Sequence, residues 1–68
     1  MKDFREELIK VAKDHFEAHI HKHRLNVEVL LSNTVAVAEH PDILETIEKE
    51  LEHVAHYHDL LETLETYF

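Results

Sequence analysis

The chain has 68 residues, a formal net charge of −8, no glycine, no cysteine and a single proline. A chain this short forms one domain and buries only about 60% of the surface its unfolded form exposes, so a stable monomer would be marginal. Without Gly or Cys there is no phosphate-cradling loop, dinucleotide fingerprint, thiolate zinc site, disulfide or cysteine nucleophile, and nothing around Ser32, the only serine, resembles a nucleophile elbow; no enzyme is expected.

The start of the chain lacks the apolar core of a signal peptide, so export is not expected and a cytoplasmic protein is. The longest uncharged stretch, residues 29–38, includes Ser32, Asn33 and Thr34 and falls well short of the ~20 apolar residues of a membrane span.

Asp3 followed by Glu6 has the form of a capping box, which predicts a helix start near Asp3 or Phe4. Phe4, Leu8, Val11, Ala12, Phe16, Ile20, Val27 and Leu30 then share one broad side at helical spacing, with Lys10, Lys13, Asp14, Glu17, Arg24 and Glu28 on the other. The phase holds without a slip, which predicts one helix over about 3–31, roughly 42 Å long. It fails from Ser32 to His40, where Ser and Asn compete for backbone hydrogen bonds and Thr34, Val35 and Val37 are β-branched, so residues 32–40 read as a connection. Pro41 suits a first helical position, with Asp42 and Glu45 near the positive end of the dipole, predicting a second helix over about 41–67. On it Leu44, Ile47, Leu51, Val54, His58 and Leu61 form a heptad seam, broadened by Ile43, Tyr57 and Leu64.

These elements predict an all-α antiparallel two-helix hairpin. Each apolar stripe is wider than one neighbouring helix covers, so self-association into a four-helix bundle or a larger helical oligomer is expected through the Leu44–Leu61 seam. A break near residues 23–26, giving a three-helix monomer, is the alternative.

The segment over 27–68, above all Glu39-His40-Pro41-Asp42-Ile43-Leu44 and the closing Leu60-Leu61-Glu62-Thr63-Leu64-Glu65-Thr66-Tyr67-Phe68, resembles a group of short uncharacterised helical proteins of marine T4-like cyanophages. That group carries Pro and Gly in the connection where this chain has Thr34, Val35 and Ala36, so the turn differs here. The resemblance implies a phage origin and an infected bacterial cytoplasm or a virion. It transfers no site residue.

Charge divides the chain in two. Acidic and basic residues balance over 1–38, whereas over 39–68 Lys49 alone opposes nine carboxylates, so the second helix carries the entire excess. Nucleic-acid binding, which needs basic residues to displace phosphate counterions, is not expected. Glu48, Glu52 and Asp59 form an acidic flank that reads as a solvated face, as a surface for a basic protein partner, or as an inhibitor that imitates DNA.

Eight histidines are present. His15, His19 and His23 recur every four residues near the middle of the first helix's apolar side, Asn26 continues the line, and His58 occupies the seam of the second helix, expected opposite His15. His21, His53 and His56 read as outward or flanking, and His40 sits in the connection. A His pair at i,i+4 with a third imidazole from another helix can chelate Zn²⁺ or another divalent transition metal, which makes His15, His19, His23 and His58 candidate ligands. Glu50-x-x-His53 also has the form of a di-iron motif, but no carboxylate of the first helix falls on its apolar side. The competing reading is a buried polar network without cofactor, in which these histidines bond to one another, to Asn26 or to Glu50, Glu62 and Glu65, and so fix register and partner choice.

Overall fold

A computed structural model describes residues 4–32 and 42–68. With no glycine to loosen it, the amphipathic first segment forms one unbroken helix, α1, over Phe4–Ser32; Glu6 and Glu7 stand in its first turn, and Ser32 Oγ–H donates to the carbonyl of Glu28 at 2.6 Å. Its continuity through residues 23–26 overturns the three-helix alternative. The second helix, α2, spans Ile43–Tyr67. It begins later than the proposed start at Pro41, because Asp42 stands outside the helix as its N-cap and accepts from the Glu45 backbone N–H at 2.9 Å. That bond satisfies one of the donors a helix start leaves free. Asp3, His40, Pro41 and the connection apart from Ser32 lie outside the described residues.

The two helices pack against each other, and no strand occurs among the described residues. Arg5 reaches the backbone oxygen of Phe68 at 2.7 Å, and His23 reaches Glu50 at 2.6 Å. Both pairs have residue numbers adding to 73, the register of an antiparallel hairpin. The same register sets Leu30 against Ile43, Asn26 against Ile47, His19 against Val54, Phe16 against Tyr57, Ala12 against Leu61 and Ile9 against Leu64. All of these are half-buried or buried, apart from Arg5 and Phe68 at the open end.

The seam therefore differs from the expected one by a single step around α2. Ile43, Glu50, Tyr57 and Leu64 face α1, while Leu44, Leu51 and His58 stand beside the seam and are exposed, Leu44 at 75%. On α1, Ile9 rather than Leu8 points inward, Phe4, Leu8 and Val11 are exposed, and Lys13, assigned to the polar side, is half-buried next to Glu65. Both shifts have one cause: each stripe is two residues wide, and hydropathy does not favour the inner residue, ranking Leu44 with Ile43, Leu8 with Ile9 and Leu51 above Glu50.

The hairpin measures 57 × 18 × 13 Å, with a radius of gyration of 16.0 Å where a compact chain of this length would have about 11 Å. Only Leu30 and His23 are buried among the described residues. Ten large apolar side chains are exposed, among them Leu25, Leu31, Tyr67 and Phe68.

Candidate functional site

The most ordered chemistry lies in the middle of the seam. Helical spacing brings His23 and Asn26 to the same face of α1, and the register sets Glu50 against them. His23 Nδ1–H donates to Glu50 Oε2 at 2.6 Å, and Asn26 Nδ2–H donates to the same oxygen at 3.2 Å. His23 is buried and Glu50 half-buried, so the carboxylate meets little water, and its two donors replace what solvent would supply. The His23 bond is the main cause that holds the Glu50 carboxyl below its ordinary range; desolvation opposes it, while Asn26 and the nearby His23 and His53 assist.

Around this layer the rings stack. His53 lies against His23 with ring centres 4.4 Å apart and planes 18° from parallel. His53 was expected to face water. It stays exposed, but one face of its ring covers the buried imidazole, because a residue flanking a seam can lean across it. His19 stacks on Tyr57 at 4.2 Å and 8°, and His15 meets His19 edge-on at 4.6 Å.

His19 Nδ1 is shielded from solvent and has no hydrogen-bond partner. Its protonation is disfavoured, first by desolvation and then by the positive charge of His15, Lys22 and His23, which lowers its pKa below 6.5.

The four candidate metal ligands thus separate. His19 and His23 enter the seam, His15 lies exposed at its edge, and His58 points away, 3.7 Å from Glu62 on its own helix. Tyr57, not His58, faces the α1 histidines, because the true seam runs through residue 57. Among the described residues no group of three or more His, Asp or Glu side chains is arranged to hold a metal ion. Glu50, Asn26 and Tyr57 are the decisive neighbours. Glu50 lies seven residues from both Ile43 and Tyr57, a spacing that marks it as a seam position despite its charge.

Of the residues expected to form an oligomer interface, Ile47, Val54 and Leu61 are occupied in the hairpin's own seam, while Leu44, Leu51 and His58 line its outer flank. Glu48, Glu52 and Asp59 are all exposed. No helix among the described residues is long and apolar enough to cross a membrane. No protein-family model, curated protein or solved structure matches the chain.

Proposed function

We propose that this chain is a small non-enzymatic helical protein, phage-encoded as its cyanophage resemblance implies, that self-assembles and acts as a protein–protein interaction module in the infected host cytoplasm. The observation that carries the reading is the mismatch between an extended seam and an almost absent core: ten large apolar side chains remain in solvent on a hairpin whose only buried described residues are Leu30 and His23. Apolar surface of this extent on a small soluble chain marks an interaction site. The Glu50 layer supports a scaffolding role, since its donors and acceptor satisfy one another and fix a register.

Sedimentation equilibrium at micromolar concentration should give a mass at least twice 8.1 kDa. A monodisperse, cooperatively folded monomer would refute self-assembly. The exposed carboxylates Glu48, Glu52 and Asp59 favour a basic protein as the further partner. Reversing all three charges should abolish its salt-sensitive retention on the immobilised protein, and retention that survives the reversal would place the interface elsewhere. Gel-shift titration at about 150 mM salt should show no complex with duplex DNA or RNA.

A further inference from the structure

The ion pair between Lys13 and Glu65 closes one flank of the seam. The opposite broad side of the hairpin carries a second stripe along α1, also at alternating four and three spacing. Phe4, Leu8 and Val11 form one end of it and Leu25 and Val29 the other, all between 46% and 68% exposed. His15, Ala18 and Lys22 lie between them. From α2 the same side receives Thr46, Lys49, His53, His56, Leu60 and Thr63. Over these helical spans it bears no carboxylate, in a chain that has 15.

The stripe reads nearly the same from either end. Outward from Ala18 come one nitrogen-bearing residue, His15 or Lys22, and then two apolar ones, Val11 and Leu8 or Leu25 and Val29. Only the outermost positions, Phe4 and Ser32, break the match. A surface that repeats itself on reversal fits a copy of itself across a two-fold axis.

We infer that a second copy of this chain docks here, α1 against α1 in antiparallel sense, with the two-fold axis beside Ala18. The inference rests on the self-assembly reading and assigns its surface. Fourteen residues, about 21 Å of helix, separate Val11 from Leu25, so both apolar ends engage at once. The ends also meet recesses. A groove of about 490 Å³ lined by Arg5, Leu8, Ile9, Leu64 and Phe68 receives Val29 of the other copy, whose Leu25 meets Val11. A depression of about 150 Å³ lined by His15, Ala18, His19 and Lys22 lies at the axis, where the small Ala18 side chain lets the helices approach.

Across the axis the Lys22 ammonium of one copy faces the His15 imidazole of the other, whose ring nitrogen can accept from it. Charge sets the two broad sides apart: the other one mixes Glu48, Glu62 and Glu65 with Lys13, which is already paired to Glu65 within the hairpin, and has no stripe that repeats on reversal. The hairpin's 57 × 18 Å extent is consistent with the roughly 800 Å² per partner of a standard interface.

Because the chain contains no cysteine, Ala18→Cys introduces a single thiol beside the axis. Oxidation, or a short bismaleimide, should link this variant into a covalent dimer, whereas Ala55→Cys on the opposite side should remain largely unlinked. In sedimentation, Val11→Glu and Leu25→Glu should raise the dimer dissociation constant at least 100-fold, with Leu44→Glu and Leu51→Glu close to wild type. Failure of Ala18→Cys to link, or dissociation by Leu51→Glu but not Leu25→Glu, would overturn this surface while leaving self-assembly intact. A monomeric wild type would overturn both. If the glutamate variants unfold as they dissociate, the two cysteine variants, which leave the apolar stripe intact, still decide the surface.

Discussion

The two halves of the seam are built on different principles. Toward the connection lie Leu30, Asn26 and His23 of α1 with Glu50 of α2; this half holds both buried residues and every hydrogen bond that joins α1 and α2 side chain to side chain among the described residues. Toward the open end, Phe16, Ala12 and Ile9 meet Tyr57, Leu61 and Leu64, all half-buried, and the seam widens into the groove beside Leu8 and Phe68. Apolar contact is non-directional, so sliding this half by three residues puts Leu60, Leu64 and Tyr67 where Tyr57, Leu61 and Leu64 stood and keeps the seam apolar. The same slide would remove Glu50 from both of its donors. The polar half therefore sets the register, and the apolar half supplies area.

The largest effect should come from breaking the polar half. Glu50→Ala leaves His23 and Asn26 without their acceptor in a poorly hydrated place, which should cost about 2 kcal/mol and lower the melting temperature by roughly 10 °C. Thermal unfolding followed by circular dichroism checks this. A change within about 0.5 kcal/mol would show that the carboxylate contributes little beyond what water provides.

The triple variant His23→Leu, Asn26→Leu and Glu50→Leu sharpens the contrast, because it replaces the whole polar layer by an apolar one of similar volume. It should regain the stability lost in Glu50→Ala or exceed the wild type, yet lose the single register. Sedimentation velocity should then show several species. A variant that is more stable and still uniform would mean that the apolar half specifies the register unaided.

Acid should weaken the polar half by two routes. The His19 pKa is lowered from 6.5, so the unfolded chain takes up that proton first; this stabilisation is complete above about pH 6.5 and declines below it. His15, Lys22 and His23 on α1 and the Tyr57 ring on α2 surround the group. The Glu50 pKa is lowered from 4.5 with His23, Asn26 and His53 around it, so its contribution is present above that value and disappears as pH falls through the folded pKa. Melting temperature should be highest near pH 8, lower near pH 5.5 and lowest near pH 3.5. His19→Leu should flatten the first decline and leave the second. Greater stability near pH 5.5 than near pH 8 would refute the His19 argument.

Much of the fold was legible because it rests on local rules. The absence of glycine and the unbroken phase of α1 predict a continuous helix, and Pro41 with Asp42 and Glu45 puts the entry to α2 two residues before its start at Ile43. What escaped was rotation about each helix axis. Hydropathy prefers Leu51 to Glu50 and ranks Leu44 with Ile43, so periodicity alone draws the seam through Leu44, Leu51 and His58. Only the partner helix decides the matter, by offering His23 and Asn26 to Glu50. Two of the three histidines in the line were likewise readable: His19 and His23 point inward, while His15 falls at the edge because residues four apart drift around the helix.

The smallest effect is expected where charge alone is involved. Lys13 and Glu65 sit 3.8 Å apart across the open half, with side chains 39% and 52% exposed, so solvent and salt screen the pair. Lys13→Gln should cost no more than about 0.5 kcal/mol, and less still at high salt. Lys13→Ala should cost more than Lys13→Gln, because it also removes the aliphatic stem that lies half-buried along the seam. Melts of the two variants at low and high salt separate these contributions: the charge part should fade with salt, and the stem part should persist. If Lys13→Gln proved as damaging as Glu50→Ala, the open half would carry a register-setting polar contact of its own, and the division between the two halves would fail.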